Sequence, residues 1–392
     1  MKRVVAWLIL CLVLSPGFAN SEKAPVDTAV IRANAKFGFK LFSELINQDA
    51  DRNVSISPMG VAMALELTYS GASGKTKDAM TKVLELNGIN IQELNLANSA
   101  LLDIFVHPDL AIANSLWLKR GIGLNPEFVR QAQKFYRAKI AELDFSKPET
   151  PGTINKWVKD KTNGNIREIV DTIPHDAFLY LVNAVYFKRA WKFRFDEKET
   201  RECPFILSDG TKKKIPMMSQ SGNYQYYRGN KFQAVSLPYR DTRMSMFIFL
   251  PDTSLEEFYK ELNPDNWQNW VAGFYPMQGS LVLPRFKLKS EVELNDALKA
   301  LGMEIVFDKD IADFQKMLAA PVEGPGPYIS TVKHKTFVEV NEQGTEAVAA
   351  TSEELMVEAL PFSMTVDRPF FFAIRDNGTG TILFMGSVVH PE

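Results

Sequence analysis

Cysteine is nearly absent from this chain. Two occur among 392 residues, Cys11 and Cys203, and histidine is as scarce, with four. That excludes a disulfide framework and leaves little material for a metal site, so none is expected. An excess of charge of one sign is also missing, since 45 lysines and arginines stand against 47 acids. Nucleic-acid or other polyanion binding therefore has no compositional basis. No repeat of fixed period and no low-complexity linker occurs between residues 25 and 392, so one continuous domain is expected. What is plentiful is apolar material, 46% of the chain, with 23% charged residues. This is the composition of a folded protein with a large core.

The apolar run Val4–Leu14 follows Lys2-Arg3 and precedes Ser15-Pro16-Gly17-Phe18-Ala19. A basic start, a short hydrophobic centre and a small-residue site form a signal peptide over residues 1–19. Eleven residues fall short of the roughly 20 that a membrane span needs. Cys11 lies between Leu10 and Leu12, without the small residues that precede a lipidated cysteine. Cleavage after Ala19 would leave residues 20–392 as a single domain, secreted or periplasmic and unattached to a membrane. The signal carries two of the bases and no acid, so its removal moves the net charge from −2 to −4. Cys203, between Glu202 and Pro204, is then the sole cysteine and reads as a structural thiol.

Helical patterns dominate the first half. Phe37, Phe39, Leu41, Phe42 and Leu45 follow Thr28, and Pro58 starts a second helix with Ser57 as its cap. Shorter patterns cover Lys75–Leu84, Pro126–Tyr136 and Thr153–Thr162. Strand signals occur at Leu110–Leu118, Phe178–Phe187, Ala234–Leu237, Met244–Leu250, Gly279–Leu283 and Ile329–Val340. The chain closes with Pro369–Ile374 and Thr381–Val389 around the turn Asp376–Gly380. Helices placed early and strands late predict an α+β domain with mixed or antiparallel sheets.

Signs of catalysis are thin. Gly71-Ala-Ser-Gly-Lys-Thr76 ends like a phosphate loop, but Tyr69 replaces the required first glycine and a helical pattern precedes it. It reads as a glycine turn between helices. No Gly-x-Ser-x-Gly elbow, His-Glu-x-x-His helix or paired-cysteine zinc pattern is present, and His107, His175, His334 and His390 are scattered. No catalytic residue is assigned. Asn53-Val-Ser55 and Asn377-Gly-Thr379 fit the glycosylation pattern, the first on a buried segment and the second in a turn. Lys212-Lys-Lys214 reads as a solvated turn.

Residues 342–358 behave unlike an ordinary strand or loop. One alternating set is Thr345, Ala347, Ala349, Thr351, Glu353, Leu355 and Val357; the other is Glu346, Val348, Ala350, Ser352, Glu354, Met356 and Glu358. The first set is small or apolar except for Glu353, and the second holds three acids, which is strand alternation. Alanine and glutamate are nevertheless poor strand formers, so a surface loop or short helix fits the composition too. Small inward residues would let a strand enter between two others without overpacking, and Gly344 would supply the bend.

From about Val30 to His390 the sequence resembles the serpin family. The blocks that carry the likeness begin with Asn53–Pro58, Ala113–Leu116, Leu181–Lys188 and Trp191, and continue with Leu237–Tyr239, Leu283–Phe286 and Leu301–Met303. Arg368–Phe372 and Leu383–Val389 complete them. The stretch Glu342, Gln343, Gly344, Thr345, Glu346, Ala347, Val348, Ala349, Ala350, Thr351 is similar to the hinge of inhibitory members. The resemblance implies a serpin fold of about eight to nine helices with an exposed reactive loop over about residues 342–365. It implies a monomeric suicide inhibitor of serine, sometimes cysteine, proteases, or alternatively a non-inhibitory carrier or chaperone; the sequence indicates no cofactor. The family's hinge-to-bond spacing of seventeen residues, counted from Glu342, implies a scissile bond at Glu358–Ala359, hence an acid-specific target. Bonds after Leu355, Met356 or Val357 would suit elastase- or subtilisin-like proteases. Ser55, Ser57, Asn183 and His334 correspond to the shutter beneath the sheet opening, and Trp191 to the breach. Two residues depart from the family pattern, Val348 on the outward set and Glu353 on the inward one.

Overall fold

The computed structural model describes residues 27–49, 51–322, 326–343 and 361–391. The first half contains α1 (Thr28–Gln48), β1 (Val54–Ile56), α2 (Pro58–Tyr69), α3 (Gly74–Val83) and α4 (Ile91–Ile104). It continues with β2 (Leu110–Lys119), α5 (Pro126–Tyr136), β3 (Lys139–Leu143), α6 (Thr150–Lys161) and β4 (Leu179–Phe187). Then come β5 (Arg201–Ile206), β6 (Lys212–Arg228), β7 (Phe232–Pro238), β8 (Met244–Pro251), α7 (Leu255–Glu261) and α8 (Pro264–Ala272). The chain ends with β9 (Tyr275–Pro284), β10 (Phe286–Glu293), α9 (Asn295–Leu298), β11 (Ile329–Val340), β12 (Phe362–Thr365), β13 (Phe370–Asp376) and β14 (Ile382–Val388). These nine α-helices and fourteen strands, among the described residues, make the expected α+β domain. No described helix is long and apolar enough to cross a membrane.

Two sheets organise the molecule. One has nine strands, ordered β1-β14-β13-β8-β7-β6-β9-β12 with β5 beside β6. The other has five, ordered β10-β11-β4-β2-β3. In the second, β11 and β4 run parallel from Ile329 beside Leu179 to Val338 beside Phe187, whereas β10–β11 and β2–β4 are antiparallel. Lys212–Lys214, expected as a turn, instead begin β6 opposite Ile206–Pro204 of β5.

Strand β4 is buried at all nine positions, which a period-two residue pattern achieves only when both faces are covered. Leu179, Leu181, Val185 and Phe187 join the main core with α1, α2 and the larger sheet. Tyr180, Val182, Ala184 and Tyr186 pack against Ile154 and Val158 of α6 on the other face. Helix α2 enters this core with Pro58 in its first turn and Ser57 Oγ accepting from the Gly60 N–H at 3.2 Å.

Candidate functional site

The parallel junction between β4 and β11 gathers the sequence-singled residues. On its inner face the apolar columns are interrupted by one polar rung, because Asn114 of β2 lies opposite Asn183 of β4, and Asn183 opposite His334 of β11. Asn183 Nδ2 donates to Asn114 Oδ1 at 2.6 Å. The Ser57 N–H donates to His334 Nε2 at 3.0 Å, tying the start of α2 to the rung. One rung along, Thr336 Oγ1 donates to the Ser55 carbonyl at 3.0 Å. Ser55, Ser57, Asn183 and His334 are all buried, so the structure brings the four together. Asn114, Thr336 and Gly60 belong with them and were not singled out from sequence. A Cβ on Gly60 would stand 2.9 Å from Asn183 Oδ1, Ser57 Oγ and Val185 Cγ2, so the close approach of α2 requires glycine.

Complete burial pushes the His334 imidazole down to about 3, only partly opposed by the backbone of Asn183. The ring is neutral and accepts at Nε2. Ser55 Oγ, Asn114 Nδ2 and Asn183 Oδ1 make no hydrogen bond to another protein atom.

Trp191 sits at the C-terminal end of this junction. It stacks on Tyr239 at 4.6 Å and 11°, and its Nε1 donates to the Asn341 carbonyl at 2.8 Å. Glu342 and Gln343, the first residues of the expected hinge, are fastened alongside. Glu342, 3% exposed, accepts from Thr200 Oγ1 at 2.6 Å and pairs with Arg285. Burial would raise its carboxyl, but Arg285 and Thr200 outweigh that and hold it below the usual range. The Phe195 N–H donates to the Glu342 carbonyl at 3.3 Å, and Gln343 Nε2 donates to Glu197 at 2.7 Å. Residues 344–360, with the remaining hinge positions, Glu353 and the Glu358–Ala359 bond, lie outside the described residues. Both glycosylation-pattern asparagines are engaged: Asn53 bonds the backbone of Val389 and His390, and Asn377 Nδ2 donates to Thr242 and Ser245. Among the described residues no three His, Cys, Asp or Glu could hold a metal.

A polar rung thus lies beneath the parallel β4–β11 pairing, beside a strand end held by Trp191, Thr200 and Arg285. The family profile described as Serpin (serine protease inhibitor) matches residues 32–391. Human Serpin B11 is 32% identical, the match covering 92% of this chain and 98% of that protein. Human neuroserpin is 33% identical over 98% of this chain and 95% of its own length. The crystal structure of the thermophilic serpin tengpin in its native state superposes with a TM-score of 0.84 at 32% identity, covering 93% of this chain and 95% of that one. The chain belongs to the serpin family.

Proposed function

We propose that this protein is a secreted or periplasmic suicide inhibitor of serine proteases rather than an enzyme, its domain starting after a signal peptide of residues 1–19. The loop following Gln343 is offered as substrate and cut at Glu358–Ala359. Residues from Thr345 onward then enter between β4 and β11. The observation that carries this reading is the parallel pairing of those two strands. A segment that leaves the end of β11 and reverses is antiparallel to both neighbours, so it replaces one parallel ladder by two antiparallel ones, which pair somewhat better per residue. Insertion of about 14 residues adds on the order of 14 backbone hydrogen bonds at roughly 1 kcal/mol each. That matches the entire stability of a typical domain, about 5–15 kcal/mol, and suffices to distort a tethered protease before deacylation.

The test incubates the protein with a glutamate-specific protease and, separately, with elastase- and subtilisin-like proteases. A covalent complex resistant to denaturant, with cleavage after Glu358, is the expected result. Cleavage without complex would make the chain a substrate or carrier, and cleavage after Leu355, Met356 or Val357 would move the bond and the target class.

A further inference from the structure

The face of β11 turned toward α6 carries an ionic ladder. Register sets Lys287 opposite Glu339, Glu291 opposite Lys335 and Glu293 opposite Lys333. The pairs close at 3.4, 2.5 and 3.0 Å respectively, and Lys289 lies over the Phe337 ring. All of these join β10 to β11, two strands that stay neighbours when a new strand enters on the other side of β11. Among the described residues, one ion pair joins β11 to β4's side of the seam: Lys188 Nζ to Glu339 Oε2, at 3.2 Å. It follows directly from the register, since Lys188 and Glu339 are the residues after the paired Phe187 and Val338. Glu339 therefore stands between two lysines, one on each side. Its Oε1 faces Lys287 and accepts from Asn341 Nδ2 at 3.2 Å, and the side chain is 12% exposed. Burial would raise the carboxyl, yet Lys188 and Lys287 together hold it below the usual range.

We propose that Lys188 is a positioning residue for loop insertion, its pair with Glu339 serving as the electrostatic latch across the seam. This rests on the insertion reading above. Strands sit about 4.8 Å apart, so an inserted strand roughly doubles the β4–β11 separation and breaks the Lys188 pair while leaving the Lys287 pair intact. Glu339 keeps Lys287 and Asn341 after the change, so no carboxylate is stranded without a partner. The latch slows opening without forbidding it.

The matched variants are Lys188→Gln and Lys287→Gln, which remove the same charge from the same carboxylate on opposite sides. The probe is an acetylated synthetic peptide of sequence Thr345–Glu358, added to the intact protein, with its incorporation followed by native electrophoresis and the rise in melting temperature. Lys188→Gln is expected to anneal about two- to fivefold faster than wild type, the effect of a partly exposed ion pair. Added salt should also accelerate it less than it accelerates wild type. Lys287→Gln should lower the urea midpoint without changing the annealing rate, and Lys188→Arg should restore it. Equal annealing rates in the two glutamine variants would overturn the latch while leaving insertion standing. Failure of the peptide to anneal to any of them would remove insertion and latch together.

Discussion

Two buried groups titrate in opposite directions, His334 beneath the seam and Glu66 between α2 and α4, and their opposition gives a quantitative prediction. His334 sits at about 3 in the fold against 6.5 when exposed. Its neutral form is favoured by folding, so its contribution is complete above 6.5 and is lost as pH falls toward 3. Glu66 of α2 behaves oppositely, raised by burial from 4.5 to about 7 against the opposing hydrogen bond from Asn98. Asn98 Nδ2 donates to its Oε2 at 2.7 Å, while Glu66 Oε1 and Asn98 Oδ1 are acceptors with no partner. A proton on Glu66 makes Oε1 a donor. Its contribution is complete below 4.5 and is lost as pH rises to about 7. At 1.36 kcal/mol per pH unit, acidification from about pH 7.5 to 5 removes about 2 kcal/mol through His334 and adds about 2 through Glu66. Wild type should thus change little through these groups. His334→Gln should gain about 2 kcal/mol on acidification relative to wild type, and Glu66→Gln should lose about 2. Urea unfolding followed by tryptophan fluorescence at a series of pH values measures both. Variant curves running parallel to wild type across the range would refute the reasoning.

Glu342→Gln keeps an acceptor for Thr200 but deletes the Arg285 ion pair, so the urea midpoint should fall by the equivalent of about 1 kcal/mol and peptide annealing should quicken. Gly60→Ala places a methyl 2.9 Å from three groups of the rung and should cost about 1–3 kcal/mol; an unchanged midpoint would show that α2 shifts freely. Glu353 must be buried if it faces inward on insertion, at a cost of a few kcal/mol, which favours release of cleaved inhibitor. Glu353→Leu should therefore lower the number of inhibitor molecules consumed per protease, read on a titration gel.

Elements with a strong local pattern were legible in the sequence. Helix α5 spans Pro126–Tyr136 and β11 spans Ile329–Val340, matching the patterns residue for residue. The turn read at Gly71–Thr76 does separate α2 from α3, but it is shorter than read, since Gly74, Lys75 and Thr76 already form the first turn of α3. What the pattern missed depends on distant register. Nothing near Asn114 or Thr336 announces that it shares a rung with residues from other parts of the chain. Lys212–Lys214 are exposed residues at one end of a long strand, so their polarity imitates a turn. Glu66, which no sequence pattern singles out, is fully buried, because α4 covers that side of α2 and brings Asn98 to it.

The five-stranded sheet holds its junctions unequally. Among the described residues, β10 and β11 are joined by antiparallel bonds and three ion pairs, whereas the β4–β11 seam has parallel bonds and one ion pair. Local opening follows the lowest free energy, so the seam should part before either flanking ladder does. Among β4 amides, those bonded toward β11 should exchange hydrogen faster than those bonded toward β2, although both sets are buried to the same degree. Lys188→Gln should speed only the first set. If the two sets exchange together, opening is global, the sheet has no privileged junction, and loop insertion requires another explanation.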